Sequence, residues 1–131
     1  MEVPMELVHE TDYYTFEIDR LKNRMYLKYR GFWKRPDQVP DFVKHHAETI
    51  GRLSPGFTVL VDVRQMEGVI LTDLIEECQR QSIKAGVAKL ARVYEKPTFM
   101  QVQAEVVRER TGVKSKEFYS VEEADAWLDE T

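Results

Sequence analysis

The chain has 131 residues, 43% of them hydrophobic and 32% charged, with 19 basic and 23 acidic side chains and a formal charge of −4. That length supplies one domain able to bury roughly two thirds of the surface its unfolded chain exposes, and the mild acidity singles out no class of partner. The single cysteine, Cys78, excludes an intrachain disulfide; no run reaches the ~18 apolar residues of a membrane span, and the acidic start MEVPMELVHE lacks the basic beginning of a signal peptide, so a reducing, cytoplasmic location is expected.

Residues 1–12 are acidic, contain Pro4 and show no sustained period, which reads as an N-terminal arm or a short edge addition, with the domain proper at 13–131. Tyr14, Phe16 and Ile18 alternate with Thr15 and Glu17, the period of a half-buried strand. After a polar turn, Met25, Leu27 and Tyr29 point one way while Arg24, Tyr26, Lys28 and Arg30 form the expected wet face of an edge hairpin. Pro36 suits the first turn of a helix, with Val39, Phe42, Val43, His46, Ala47, Ile50 and Leu53 on its buried face and Ser54-Pro55-Gly56 beyond its end.

Phe57 to Val63 is nearly continuously apolar and β-branched until Asp62, as in a central strand covered on both faces. A polar loop, Arg64 to Gly68, leads to a helix over Ile70 to Ala85 whose stripe includes Leu74, Ile75 and Cys78. Cys78 thus reads as an inert core thiol. Val87 to Tyr94 is the next strand. Lys96-Pro97-Thr98 then enters a helix with Phe99, Val102, Val106 and Val107 as its buried stripe. Gly112 ends that helix, Val113 to Tyr119 is a last strand, and Ser120 with Glu123 forms a capping box for a helix anchored by Ala124, Trp127 and Leu128. The order ββαβαβαβα predicts a single α/β domain with a mixed, mostly parallel sheet of about five strands and four helices.

The closing segment TGVKSKEFYSVEEADAWL, Thr111 to Leu128, resembles the last strand and helix of the STAS domain family, the anti-sigma factor antagonists and their relatives. The strand ending VDVR, the helix after it, Ala85-Gly86 and the strand VAKLARV fit the same order from about Tyr14 onward. The resemblance implies a STAS-like fold and a regulatory protein-binding role. It extends to STAS and SEC14-like small bacterial proteins, which implies, as the alternative, a module for a small amphiphile or lipid. Bacterial antagonists of this family carry a phosphorylatable serine at the start of the helix after the central strand. Here Gln65 to Thr72 contains no serine, so the resemblance does not bring the phosphoswitch with it.

The expected partner-binding residues are Asp62, Arg64, Met66, Glu67, Gly68 and Thr72. Asp62, at the exit of a buried strand, needs hydrogen bonds or a cation, and Arg64 is the candidate; the ordinary reading is a strand-end acid bonded to loop amides. Glu67 either complements the dipole of the following helix or holds a fixed negative charge where relatives are phosphorylated. With helix pairing from Gly68, Thr72 would lie more than one turn inside and bond backward to the chain, so a phosphoswitch is not expected. The alternative cleft is lined by Phe32, Trp33 and Met66, whose ordinary reading is packing against the first helix.

Seven cations and no acid lie between Arg20 and Arg35, the ingredients of an anionic-partner surface, although edge strands use such residues to discourage pairing. Nucleic acid is therefore disfavoured. His45 and His46 point about 100° apart on a helix and cannot chelate one metal together. No G-x-G-x-x-G, P-loop, G-x-S-x-G or cysteine pair occurs. The expectation is a non-catalytic regulatory module with no cofactor or metal, whose partner is a regulatory protein, with a homodimer also compatible.

Overall fold

The structure, a computed structural model, describes residues 5–130; the start of the expected arm, Pro4 included, and Thr131 lie outside them. Six strands form one sheet in sequence order: β1 (Glu6–Glu10), β2 (Tyr14–Asp19), β3 (Arg24–Gly31), β4 (Thr58–Met66), β5 (Lys89–Val93) and β6 (Ser115–Phe118). β1, β2 and β3 pair antiparallel, and β3 to β6 are parallel neighbours. The helices are α1 (Phe42–Ile50), α2 (Thr72–Lys84), α3 (Phe99–Thr111) and α4 (Val121–Asp129). Among the described residues no helix is long and apolar enough to cross a membrane.

Alternation along the strands sorts the core into two layers. Val59, Val61, Val63 and Leu90 join Phe16, Leu27, Trp33, Phe42, Ile75 and Cys78 on the face carrying α1, α2 and α3. Leu60, Ala91, Val93 and Phe118 meet Ala124 and Leu128 of α4 on the other. β4, paired on both edges, is the central strand that its apolar run predicted.

Five expectations need correction. The sheet has six strands because the arm supplies β1, where a register shift between Leu7 and His9 breaks the period of two. β3 is not on an edge, and its polar face is only partly wet. α4 folds over it, so Arg24 is 2% exposed and donates to Asp125 at 2.7 Å and Asp129 at 2.8 Å. The first helix is divided: Pro36–Gln38 makes a single 3₁₀ turn, and α1 starts only after Pro40, which lacks the N–H a continuous helix would use. This turns Ala47 outward and buries Thr49 instead, whose hydroxyl donates to His45 O at 2.8 Å. In α3 the buried stripe is Met100, Ala104 and Val107, while Phe99, Val102 and Val106 are exposed. Both sets recur at helical spacing, so periodicity could not choose between them. Ser120 makes only half of the expected box, accepting from Glu123 N at 3.3 Å.

The adjacent histidines go to different partners. His45 Nδ1 meets Tyr14 Oη at 2.7 Å and its ring stacks on His9 with centroids 3.8 Å apart. His46 Nδ1 meets Gln81 Oε1 at 2.9 Å, and burial pushes its pKa down to about 4. The unfolded chain takes up that proton near the ordinary histidine value of ~6.5, so acid favours unfolding. The stabilisation from a neutral His46 is complete above pH ~6.5 and disappears as pH falls toward 4. Urea unfolding at pH 7 and pH 5 should therefore differ by about 2 kcal/mol from this group, and His46→Gln should remove most of that difference. A slope unchanged in the variant would contradict it.

Candidate functional site

β4 carries its last residues out of the core at the carboxyl end of the parallel strands, where open α/β sheets place their working surface. Asp62 shares its face with Leu60 and is 6% exposed. Its Oδ1 accepts from Arg64 N and Arg64 Nε, each at 3.0 Å, and its Oδ2 accepts from Arg64 Nη2 at 2.8 Å. Arg64 is thus the cation that Asp62 required, and this bidentate bond raises the guanidinium's own pKa. Beside the pair, a groove of about 250 Å³ runs between the open sheet face and α4, past Glu17, Tyr26, Lys28 and Val121.

The remaining expected contacts do not share that surface. Met66 is 7% exposed and belongs to the core on the α2 side. Glu67 and Gly68 are exposed in the connection to α2. Gly68 has φ +81°, and a Cβ there would lie 2.7 Å from the Phe32 ring, so backbone shape and close approach both select glycine. One side chain of α3 fastens the connection: Gln103 Oε1 accepts from Ile70 N at 3.0 Å, and Gln103 Nε2 donates to Ile70 O at 3.3 Å. Thr72 is the first residue of α2 and half-buried, not a residue more than one turn inside it. The geometric argument against its modification therefore fails, because α2 begins at Thr72 and the chain is still extended at Leu71.

The proposed cleft of Phe32, Trp33 and Met66 is not assembled. Trp33 is fully buried, donates from Nε1 to Arg30 O at 2.9 Å and packs against Tyr29 and Phe42, whereas Phe32 is 42% exposed. Consecutive residues point apart, so the two rings serve core and surface separately. The basic run is largely engaged by intramolecular partners. Arg20 Nε donates to Glu6 at 2.7 Å, Arg24 holds α4, Arg30 Nη2 donates to Thr11 O at 2.7 Å, and Arg35 pairs with Asp37 at 2.9 Å.

Sequence reasoning missed a rim. Phe32 follows β3, Val69 follows β4, Phe99 follows β5 and Tyr119 follows β6, and all four are exposed. The available signal was an apolar residue in the connection that leaves the carboxyl end of a parallel strand or, for Phe99, at the first residue of the helix that follows it. Along α3 and β6, a shallow groove of about 460 Å³ is lined by Val102 and Val106 and by Glu105, Glu109 and Glu117.

No family model matches the chain, and no curated protein matches it. Among solved structures, it is similar to an uncharacterised protein of the DUF3478 family with a SpoIIAA-like fold from Shewanella loihica PV-4. That match has 16% identity and a TM-score of 0.55, covering 95% of this chain and 92% of the other. The sheet order, the three helices on one face and the return of α4 to the other thus make up a SpoIIAA-like α/β fold, the STAS-like architecture that Thr111 to Leu128 resembled.

Proposed function

We propose that this protein is a non-catalytic regulatory module that binds another protein through the carboxyl-end rim of β3 to β6. The observation that carries this reading is the exposure of Phe32 (42%), Val69 (40%), Phe99 (61%) and Tyr119 (51%) at successive strand ends. Large apolar side chains gathered at one end of a sheet are the usual core of a docking surface. Glu67 on the rim, with Glu105, Glu109 and Glu117 along the groove, matches a partner segment that mixes basic and apolar residues.

Affinity purification from the native cell, comparing the intact chain with Phe99→Asp and Glu67→Lys, tests it. The same partner should be recovered at least about tenfold less with Phe99→Asp, the loss of one central anchor. Glu67→Lys should weaken it less and make the remaining binding less sensitive to salt. Both positions are exposed, so melting temperatures should hold. Equal recovery of every partner by all three proteins would overturn the reading.

A further inference from the structure

β6 is the last strand of the sheet and pairs only with β5. Leu90 N donates to Lys114 O and Tyr94 N donates to Phe118 O, each at 2.9 Å, and backbone groups point to alternate sides along a strand. Lys114, Lys116 and Phe118 therefore turn their peptide groups toward β5. Ser115 and Glu117 turn theirs off the edge, where no backbone partner among the described residues meets them. The opposite edge, β1, is broken by the register shift between Leu7 and His9, one of the devices that keep an edge from pairing. β6 has neither such a shift nor a proline.

One face of this edge is bordered by α3. Ser115 and Glu117 share the side of Leu90 and Arg92, which is the side of α3. Gln101, early in α3, donates from Nε2 to Glu117 Oε2 at 2.7 Å, and the helix then runs back toward the start of β6, so Val102 and Val106 lie exposed alongside the strand. Their groove carries Glu105, Glu109 and Glu117 and no cation on its lining, and Arg108 engages Glu105 alone. A second copy of β6 does not suit the edge. Two-fold pairing centred on Glu117 or Lys116 sets that residue against itself, and centred on Ser115 it sets Lys114 against Lys116. Acids around an apolar floor favour a basic strand from another protein instead.

We propose that β6 takes up an extended segment of a partner protein as a seventh, antiparallel strand, and that this segment has an apolar residue with lysine or arginine two positions away on each side. The apolar residue would pair with Ser115 and rest on Val102 and Val106. One cation would pair with Glu117, and the other would reach Glu109. Residues opposite one another in an antiparallel pair share a face, so the side chains that meet α3 belong to the residues whose peptide groups satisfy the open edge. Main-chain bonds then supply affinity and alternate side chains supply selectivity. The inference rests on the protein-binding reading and adds what kind of segment binds and how.

The probe is the capped peptide Thr-Arg-Thr-Val-Thr-Arg-Thr, titrated into the full chain at low salt and followed by NMR. The Ser115 and Glu117 amides should shift saturably and exchange more slowly with solvent, and the same peptide with Glu in place of Arg should not bind. Methylating the Val amide of the peptide should weaken binding at least about tenfold, because that group faces β6, while methylating the central Thr amide, which faces away, should change it less than about twofold. Ser115→Pro removes one outward N–H, leaves the β5 ladder whole and should lose the peptide; if it does not fold, the methylated peptides on the unaltered chain decide. Silent Ser115 and Glu117 amides, equal loss from either methylation, or equal binding of the Glu peptide would each overturn the proposal. So would β6 shifts that follow the chain's own concentration, which would assign the edge to a second copy. In the affinity purification, loss of the partner with Phe99→Asp but not with Ser115→Pro leaves the rim reading standing and overturns this one. Peptide binding as stated, with recovery indifferent to Phe99→Asp, does the reverse.

Discussion

Trp33→Ala is expected to cost about 4 kcal/mol of stability, the middle of the range for removing a large aromatic from a core. Trp33 is fully buried, with ring centroids 5.0 Å from Phe42, 5.1 Å from Tyr29 and 6.2 Å from Tyr14. These rings join β2, β3 and α1, so the void left by the indole lies where three elements meet and cannot close without moving one of them. The substitution also removes the bond from Nε1 to Arg30 O. Trp33→Phe should be milder, because it keeps most of the contact area while giving up that one bond. Urea midpoints measure both, and a loss below about 1.5 kcal/mol for Trp33→Ala would show that the cluster repacks.

Arg24→Ala should cost about 3 kcal/mol, at the low end for breaking a buried ion pair because the carboxylates it leaves keep some water. The guanidinium is 3% exposed, whereas Asp125 is 29% and Asp129 51% exposed at the side chain. Nε donates to Thr58 Oγ1 at 2.8 Å, and the two terminal nitrogens reach the two aspartates, so one side chain ties β3 and β4 to α4. Its bond to Asp129 is the chief reason that the carboxyl pKa of Asp129 is lowered. Arg24→Met keeps the apolar stem and should cost less. Hydrogen exchange supplies the specific reading: α4 amides should lose protection before those of β4. Uniform loss across the chain would show that Arg24 supports the whole fold rather than the docking of one helix.

A strip of sequence records which residues alternate, where helices stop and which run is apolar on both sides. From these the parallel core, the place of β4 at its centre, the burial of Cys78 and the glycine stops at Gly86 and Gly112 were legible. The Asp62–Arg64 pair was legible too, because partners two residues apart on one strand share a face.

The rest depended on neighbours distant in the chain. Arg24 looked wet because nothing near it in sequence announces that α4, about 100 residues later, supplies its aspartates. Phe99 and Met100 carry equivalent periodic signals, and only the position of α3 against α2 decided which is covered. Thr72 is the first residue of α2 rather than a residue inside it, because the chain is still extended at Leu71, after a connection in which Gly68, at φ +81°, packs on the Phe32 ring. Arg92 sits in VAKLARV as one more charged residue, and its burial appears only when α2 closes over it. Local pattern therefore determined the elements and their order, since periodicity and backbone preference act over a few residues. Which polar groups find partners, and which apolar groups are left uncovered, was decided by tertiary packing, because burial and hydrogen-bond satisfaction belong to surfaces brought together from across the chain.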